Sequence, residues 1–319
     1  MGETALDAPL PTTPAEVMDE AGRLAAMVTD RFPNDPDAFE IEARIHFWLG
    51  DSAAAEQCWR RCLELSSSYA YAYHGLGLAA ARRGDHAEAA TLFQKALEIA
   101  PASIEPRMEL AAALANSGRW NDAVAALEPN LPSMPNKVPA LMLLGRAYQH
   151  LDRPADAKRC YETALQSVPR DSNAWFGLGT ACARLGLGDE ARRAMEQFRQ
   201  LREDERKERQ ARQGSYDDLG AMREALAAQY TTAGDVFAGD GRGREGERLW
   251  RRAAYLAPKD VGCRERLART LVQSGRLAEA VVYLEQLSAI DPANPAYAAE
   301  LRRIRAIVAT TPSPRKKSP

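Results

Sequence analysis

Apolar and small residues recur at three- and four-residue steps through most of the chain, and the pattern itself returns every 34 residues. The clearest stretch is AYAYHGLGLAAARRGDHAEAATLFQKALEIAPAS, residues 70–103, marked by Tyr73, Leu76, Gly77, Gly84, Ala89, Phe93, Ala96 and Pro101. A step of 34 lands on Leu110, Ala111, Gly118, Ala123, Leu127 and Pro135. The next gives Leu141, Leu144, Gly145, Tyr148, Ala157, Tyr161, Ala164 and Pro169, and the next Trp175, Leu178, Gly179, Gly186, Ala191, Met195 and Phe198. One step backwards meets Phe39, Ala43, Gly50, Ala55, Trp59 and Cys62. Steps of three and four residues are the mark of helices with one buried face. Each period therefore predicts two helices, with Gly at the turn between them and Pro closing the second.

These residues resemble the tetratricopeptide repeat, whose pattern runs W-x2-L-G-x2-Y, then A-x3-F, then P; residues 141–169 follow it almost position for position. The resemblance implies an all-α fold, a right-handed superhelical solenoid of stacked helix-turn-helix units. One helix pair cannot bury its apolar face alone, so neighbouring units must cover it. Asp152 stands at the turn of the fourth unit where the others carry Gly.

The phase divides the chain. Residues 1–13 read as a disordered N-terminus and 14–35 as a half-repeat helix. Five contiguous units fill 36–205, an insertion occupies 206–226, and two more units fill 227–294. A capping helix is expected over 295–309, with Leu301, Ile304, Ile307 and Val308 as its apolar stripe, and 310–319 is a Pro-rich basic tail. The insertion lacks a turn residue before Gly214-Ser215, so it lengthens the two flanking helices into a projecting hairpin. Residues 202–213 hold no large apolar side chain, and pairs such as Glu203–Lys207 support a solvated arm. Ser313 and Ser318, each followed by Pro, could accept phosphate from a proline-directed kinase.

Composition changes this picture little. Apolar residues make up 45% and aromatics only 7%, which suits close helix packing through small residues. Forty-two basic and 44 acidic residues nearly balance, without the basic footprint of a nucleic-acid-binding protein. No apolar run reaches membrane-spanning length and the first residues do not read as a signal peptide, so a cytoplasmic protein is expected.

Candidate chemistry is sparse. The histidines, His46, His74, His86 and His150, show no metal-ligand spacing, and Cys58 and Cys62 read as packing residues. Gly241, Gly243 and Gly246 spell GxGxxG, but on a turn between repeat helices rather than after a strand. No catalytic, metal or cofactor site is expected, and the chain reads as a non-enzyme.

The resemblance instead implies binding along the concave face, lined by the first helix of each unit. Counting from each unit's first residue, positions 2, 5, 9, 12 and 13 face that groove. They supply Arg44 and Trp48 in the first unit, Tyr71, His74 and Arg82 in the second, and Met108 and Asn116 in the third. The fourth gives Met142, Arg146, Gln149 and His150, and the fifth Asn173, Phe176 and Arg184. Arginines and aromatics are common binding hot spots. The expectation is a scaffold or adaptor holding an extended segment of a protein partner, or alternatively a non-catalytic subunit that positions an enzyme or assembly complex. Lys and Asn at set groove positions, which grip a C-terminal carboxylate in some members of that family, are missing: Arg44, Leu78 and Ala112 stand at position 9.

Overall fold

In a computed structural model, residues 8–212 and 218–310 are described, and among them every regular element is helical. The helices are α1 (Pro14–Arg31), α2 (Pro36–Trp48), α3 (Ser52–Leu65), α4 (Ala70–Arg83), α5 (His86–Ile99), α6 (Ile104–Asn116), α7 (Trp120–Leu127) and α8 (Val138–His150). They continue as α9 (Pro154–Ser167), α10 (Ser172–Arg184), α11 (Gly188–Arg212), α12 (Asp218–Gly239), α13 (Gly243–Leu256), α14 (Gly262–Gln273), α15 (Leu277–Ile290) and α16 (Pro295–Thr310). The chain forms two compact units. An internal unit spans Gly50–Tyr216, and a terminal unit joins Met1–Leu49 to Asp217–Pro319.

The helix boundaries follow local chemistry. Gly84 takes φ +85° after α4, and Asp85 then caps α5 by accepting the Glu88 amide at 3.0 Å. Asp152 replaces Gly at the equivalent turn with φ 55°, the one non-glycine residue with positive φ among the described residues. Aspartate tolerates this region better than most side chains. The third unit departs from the repeat. Its second helix, α7, stops after 8 residues and continues as a 3-10 turn over Glu128–Ser133. Pro129 and Pro132 explain the change, because neither can donate to the helix ladder.

In the internal unit the core is a series of large side chains pressed onto glycine. Tyr161 of α9 lies between Gly145 of α8 and Gly177 of α10. A Cβ on those glycines would sit 2.7 Å and 2.3 Å from its ring carbon Cζ. Phe93 covers Gly77 in the same way, Trp59 covers Gly75, and Met195 covers Gly179. The side chain at position 24 thus fills the space left by missing Cβ atoms in its own unit, in the next, or in both. Its burial removes the ring from water, and the glycines let the backbones approach.

The terminal unit groups α1 and α2 with α12–α16, whereas the repeat phase ran α2 on into α3. Val17, Ala21, Leu24 and Val28 of α1 and Ile41 and Ile45 of α2 share one core with Leu226, Tyr230, Phe237 and Trp250. The rings of Phe32 and Phe237 meet edge to face at 4.8 Å. A buried ion pair fixes this union. Arg252 of α13 binds Glu20 of α1 through two bonds of 2.8 Å, and neither side chain is more than 6% exposed. The same guanidinium donates to the carbonyls of Ala8 at 2.5 Å and Pro9 at 3.1 Å, while Arg223 donates twice to the Pro11 carbonyl. Burial, with Glu20 beside it, raises the Tyr230 phenol well above its ordinary value.

At the other end of this unit, α16 covers α15 by burying Leu301 and Ile304 against Ala268, Leu284 and Leu287. Ile307 and Val308, expected in the same stripe, are more than a third exposed, because the packed surface ends with the first turns of α16.

The helices flanking the insertion are long: α11 has 25 residues and α12 has 22. At 1.5 Å per residue α11 extends about 38 Å. Its middle is tied down where Arg170 meets Asp204 at 3.4 Å and where a Ser172 hydrogen bond holds the Glu205 carboxyl below its usual value. In the same stretch, Glu203 pairs with Arg206 at 3.0 Å and Lys207 at 3.6 Å on an exposed surface. The turn expected near Gly214-Ser215 lies outside the described residues, as do Ser313 and Ser318 of the tail.

Three variants test these contacts. Gly177→Ala should destabilise the protein by about 1–3 kcal/mol, because overpacking against Tyr161 outweighs the better helix propensity of Ala. Urea unfolding of both forms measures it. Arg252→Ala should cost about 3–5 kcal/mol by leaving the Glu20 carboxylate buried without its cationic partner, whereas Glu20→Leu with Arg252→Met should recover most of the loss. Equal losses in the single and double variants would show that the pair is not what joins α1 to α13.

Candidate functional site

The first helices of the internal unit, α4, α6, α8 and α10, touch one another in succession. Among the described residues the second helices α5, α7, α9 and α11 make no comparable mutual contacts. The first helices therefore form the closely spaced face of this stack, where Ala112 and Thr180 are small, half-buried side chains.

The expected groove residues fall into several kinds of place. Tyr71 is 66% exposed, with its ring centroid 5.9 Å from that of Tyr69. Phe176 is 49% exposed and leans on Phe198 of α11 at 5.2 Å. Asn116 and Asn173 are exposed near helix ends. These four are accessible to a partner.

A second set is committed to packing. Met108 and Met142 are half-buried against the core. His74 packs its ring 5.6 Å from Phe93, and its Nε2 is buried without a hydrogen-bond partner. Burial lowers the His74 pKa, opposed by the nearby Glu105 carboxylate.

A third set holds the helices to one another. Gln149 donates through Nε2 to the Gly177 carbonyl at 2.9 Å and accepts from the Tyr161 hydroxyl at 3.3 Å, bridging α8, α9 and α10. Arg184 donates to the Gln149 carbonyl at 2.5 Å and lies 3.9 Å from Asp152, so it caps the end of α8. Arg82 reaches the Ser52 hydroxyl at 3.4 Å. The sequence marks all three as groove side chains; the structure gives each an intramolecular bond.

Arg146 and His150 form a pair that depends on a residue the sequence reading passed over. The Trp120 indole, at the start of α7, stacks flat on His150 at 3.9 Å, and the Arg146 guanidinium lies 5.8 Å from the indole centre. A tryptophan just past the turn glycine Gly118, where the third unit begins its second helix, was the available signal. The slab holds Arg146 in an exposed position, and among the described residues no carboxylate forms an ion pair with it. It remains able to grip a carboxylate through two parallel bonds.

Arg44 and Trp48 lie on α2, in the terminal unit. Arg44 is 3.6 Å from Glu40, and Trp48 is half-buried against that unit's core. The GxGxxG glycines have packing and turn roles in the same unit. Gly241 turns the chain with φ +79°, and a Cβ on Gly246 would meet the Gly234 carbonyl oxygen at 2.7 Å. No described helix is long and apolar enough to cross a membrane.

Comparison with known proteins places this architecture. No curated protein matches the chain. Among solved structures, a MamA RS-1 double mutant is 19% identical, with TM-score 0.51, covering 53% of this chain and 96% of its own. MamA from Desulfovibrio magneticus RS-1 is 21% identical, with TM-score 0.48 and 59% and 98% coverage. PilW, described as a type IV pilus biogenesis factor, is 21% identical, with TM-score 0.47 and 58% and 82% coverage. At these identities the likeness concerns the fold alone. Family models described as tetratricopeptide repeat match residues 40–102, 80–147, 142–205 and 238–304. Together they cover well over half of the sequence, and the chain belongs to the tetratricopeptide repeat family, a family of protein-interaction scaffolds.

Proposed function

We propose that the α4–α6–α8–α10 face holds an extended segment of a partner protein. The observation that carries this reading is Arg146, kept exposed over Trp120 with no ion pair, between the exposed rings of Tyr71 and Phe176. Aromatic and arginine side chains on a shallow face of small residues suit a partner with apolar anchors and an acidic group. Gln149 and Arg184, both bonded to neighbouring helices of the stack, contribute shape and stiffness rather than contacts. The role is non-catalytic: the face carries no nucleophile paired with a base, and the His74 nitrogen is buried against Phe93. Balanced charge favours a protein over a nucleic acid.

The test uses affinity capture from native lysate with the full chain and the variant Tyr71→Asp/Arg146→Glu. Both sites are solvent-exposed, so helicity by circular dichroism should be unchanged. Loss of the captured partner by the variant is expected, with affinity falling at least about tenfold, the size of one hot spot near 1.4 kcal/mol. Unchanged capture would overturn the assignment of this face.

A further inference from the structure

Residues 8–12, which precede α1, bind the terminal unit as a separate ligand would. They form no helix or strand. Pro9 and Pro11 have no N–H to give, and each fixes its φ at about −65°. That favours an extended polyproline backbone, whose carbonyls find no partner within the segment itself. Two arginines take three of these carbonyls. Arg252 of α13 donates to Ala8 and Pro9, and Arg223 of α12 donates twice to Pro11. Between the prolines, Leu10 is half-buried against the core that holds Tyr230 and Trp250, and Pro11 is buried.

The donors are held in place before the segment arrives. Glu20 takes Nε and Nη2 of Arg252 at 2.8 Å, which aims the remaining hydrogens at the carbonyls of Ala8 and Pro9. Tyr255 lies 5.6 Å from the same guanidinium and is 52% exposed, so an aromatic ring borders the site. Arg252 and Tyr255 stand on the second helix of their repeat, and Arg223 stands within the insertion. None of them occupies a groove position of a first helix. The site reads backbone carbonyls and one apolar side chain. Any segment with proline on both sides of an apolar residue offers the same groups at the same spacing, and its stiffness lowers the entropy lost on binding.

We propose that Arg223, Arg252 and the surface beneath Leu10 form a recognition site for a proline-flanked extended segment of a partner protein, and that residues 8–12 fill this site in cis. The resident segment competes with the partner. Its tether gives it a local concentration in about the millimolar range, so the partner binds only when residues 8–12 are released. The site does not depend on the α4–α6–α8–α10 face.

A fluorescein-labelled peptide of sequence APLPTT, which copies residues 8–13, tests this by anisotropy titration. It should bind a chain lacking residues 1–11 at least about tenfold more tightly than the full chain. The same peptide with both prolines replaced by Gly should bind the shortened chain about tenfold more weakly, since its free form is less ordered. Arg223→Ala in the shortened chain should weaken binding about tenfold by removing the donors to the Pro11 carbonyl. Circular dichroism checks that the shortened chain keeps its helices. Pro9→Gly/Pro11→Gly in the full chain offers a second route, because it loosens the resident segment without deleting it and should also raise peptide binding. Failure of both opened forms to bind the peptide, or equal binding of the proline and glycine peptides, would overturn the inference. So would a full chain that elutes as a dimer and becomes a monomer without residues 1–11, since the site would then belong to a second copy.

Discussion

The internal unit depends on one steric arrangement: a large side chain in the second helix of a repeat pressed onto glycine backbone in a first helix. Tyr161 shows it fully, held between Gly145 and Gly177. The aromatic ring supplies most of the burial, and the glycines set how near the helices can come. Because the ring reaches into both its own unit and the next, it spaces the first helices of α8 and α10. Phe176 and Arg146 lie exposed on those two helices. Trp250 against Gly234 repeats the device in the terminal unit.

Arginine has two distinct uses in this protein. Several arginines turn inward to satisfy backbone carbonyls that helix ends leave open. Arg264 donates to the carbonyls of Ala254, Ala257 and Asp260 around the end of α13, and Arg184 does the same for α8. Arg252 closes the N-terminal segment against α13. Others, such as Arg146, stay on the surface with no carboxylate partner among the described residues. A charge count mixes the two kinds. Only the second keeps its donors free, since a guanidinium already spending them inside the fold has little left to offer.

Much of the candidate face was legible in the sequence, and the reason is periodicity. Position within a 34-residue unit fixes which helix a residue occupies and roughly which side it faces, so counting alone puts Tyr71, Arg146 and Phe176 on first helices. What periodicity could not supply was the partner of each side chain. His74 reads as a surface histidine until Phe93 is found beside it. Trp120 has no meaning until His150, thirty positions later, lies flat against it. Such contacts cross from one helix to another, and their geometry depends on crossing angles that a linear pattern does not encode.

By itself the sequence determined the helical class, the repeat length, the turn positions and the extra length in α11 and α12. All of these rest on short-range chemistry: apolar spacing, the left-handed turn that Gly84 and Asp152 allow, and the absence of a breaker after Glu205. The tertiary structure alone decided that α1 and α2 join α12–α16 instead of continuing into α3. Glu20 and Arg252 are 232 residues apart, and each looks like an ordinary helix-surface charge in its local context. Their pairing is favourable because both are removed from water together. That desolvation exists only once the helices that exclude the water have met.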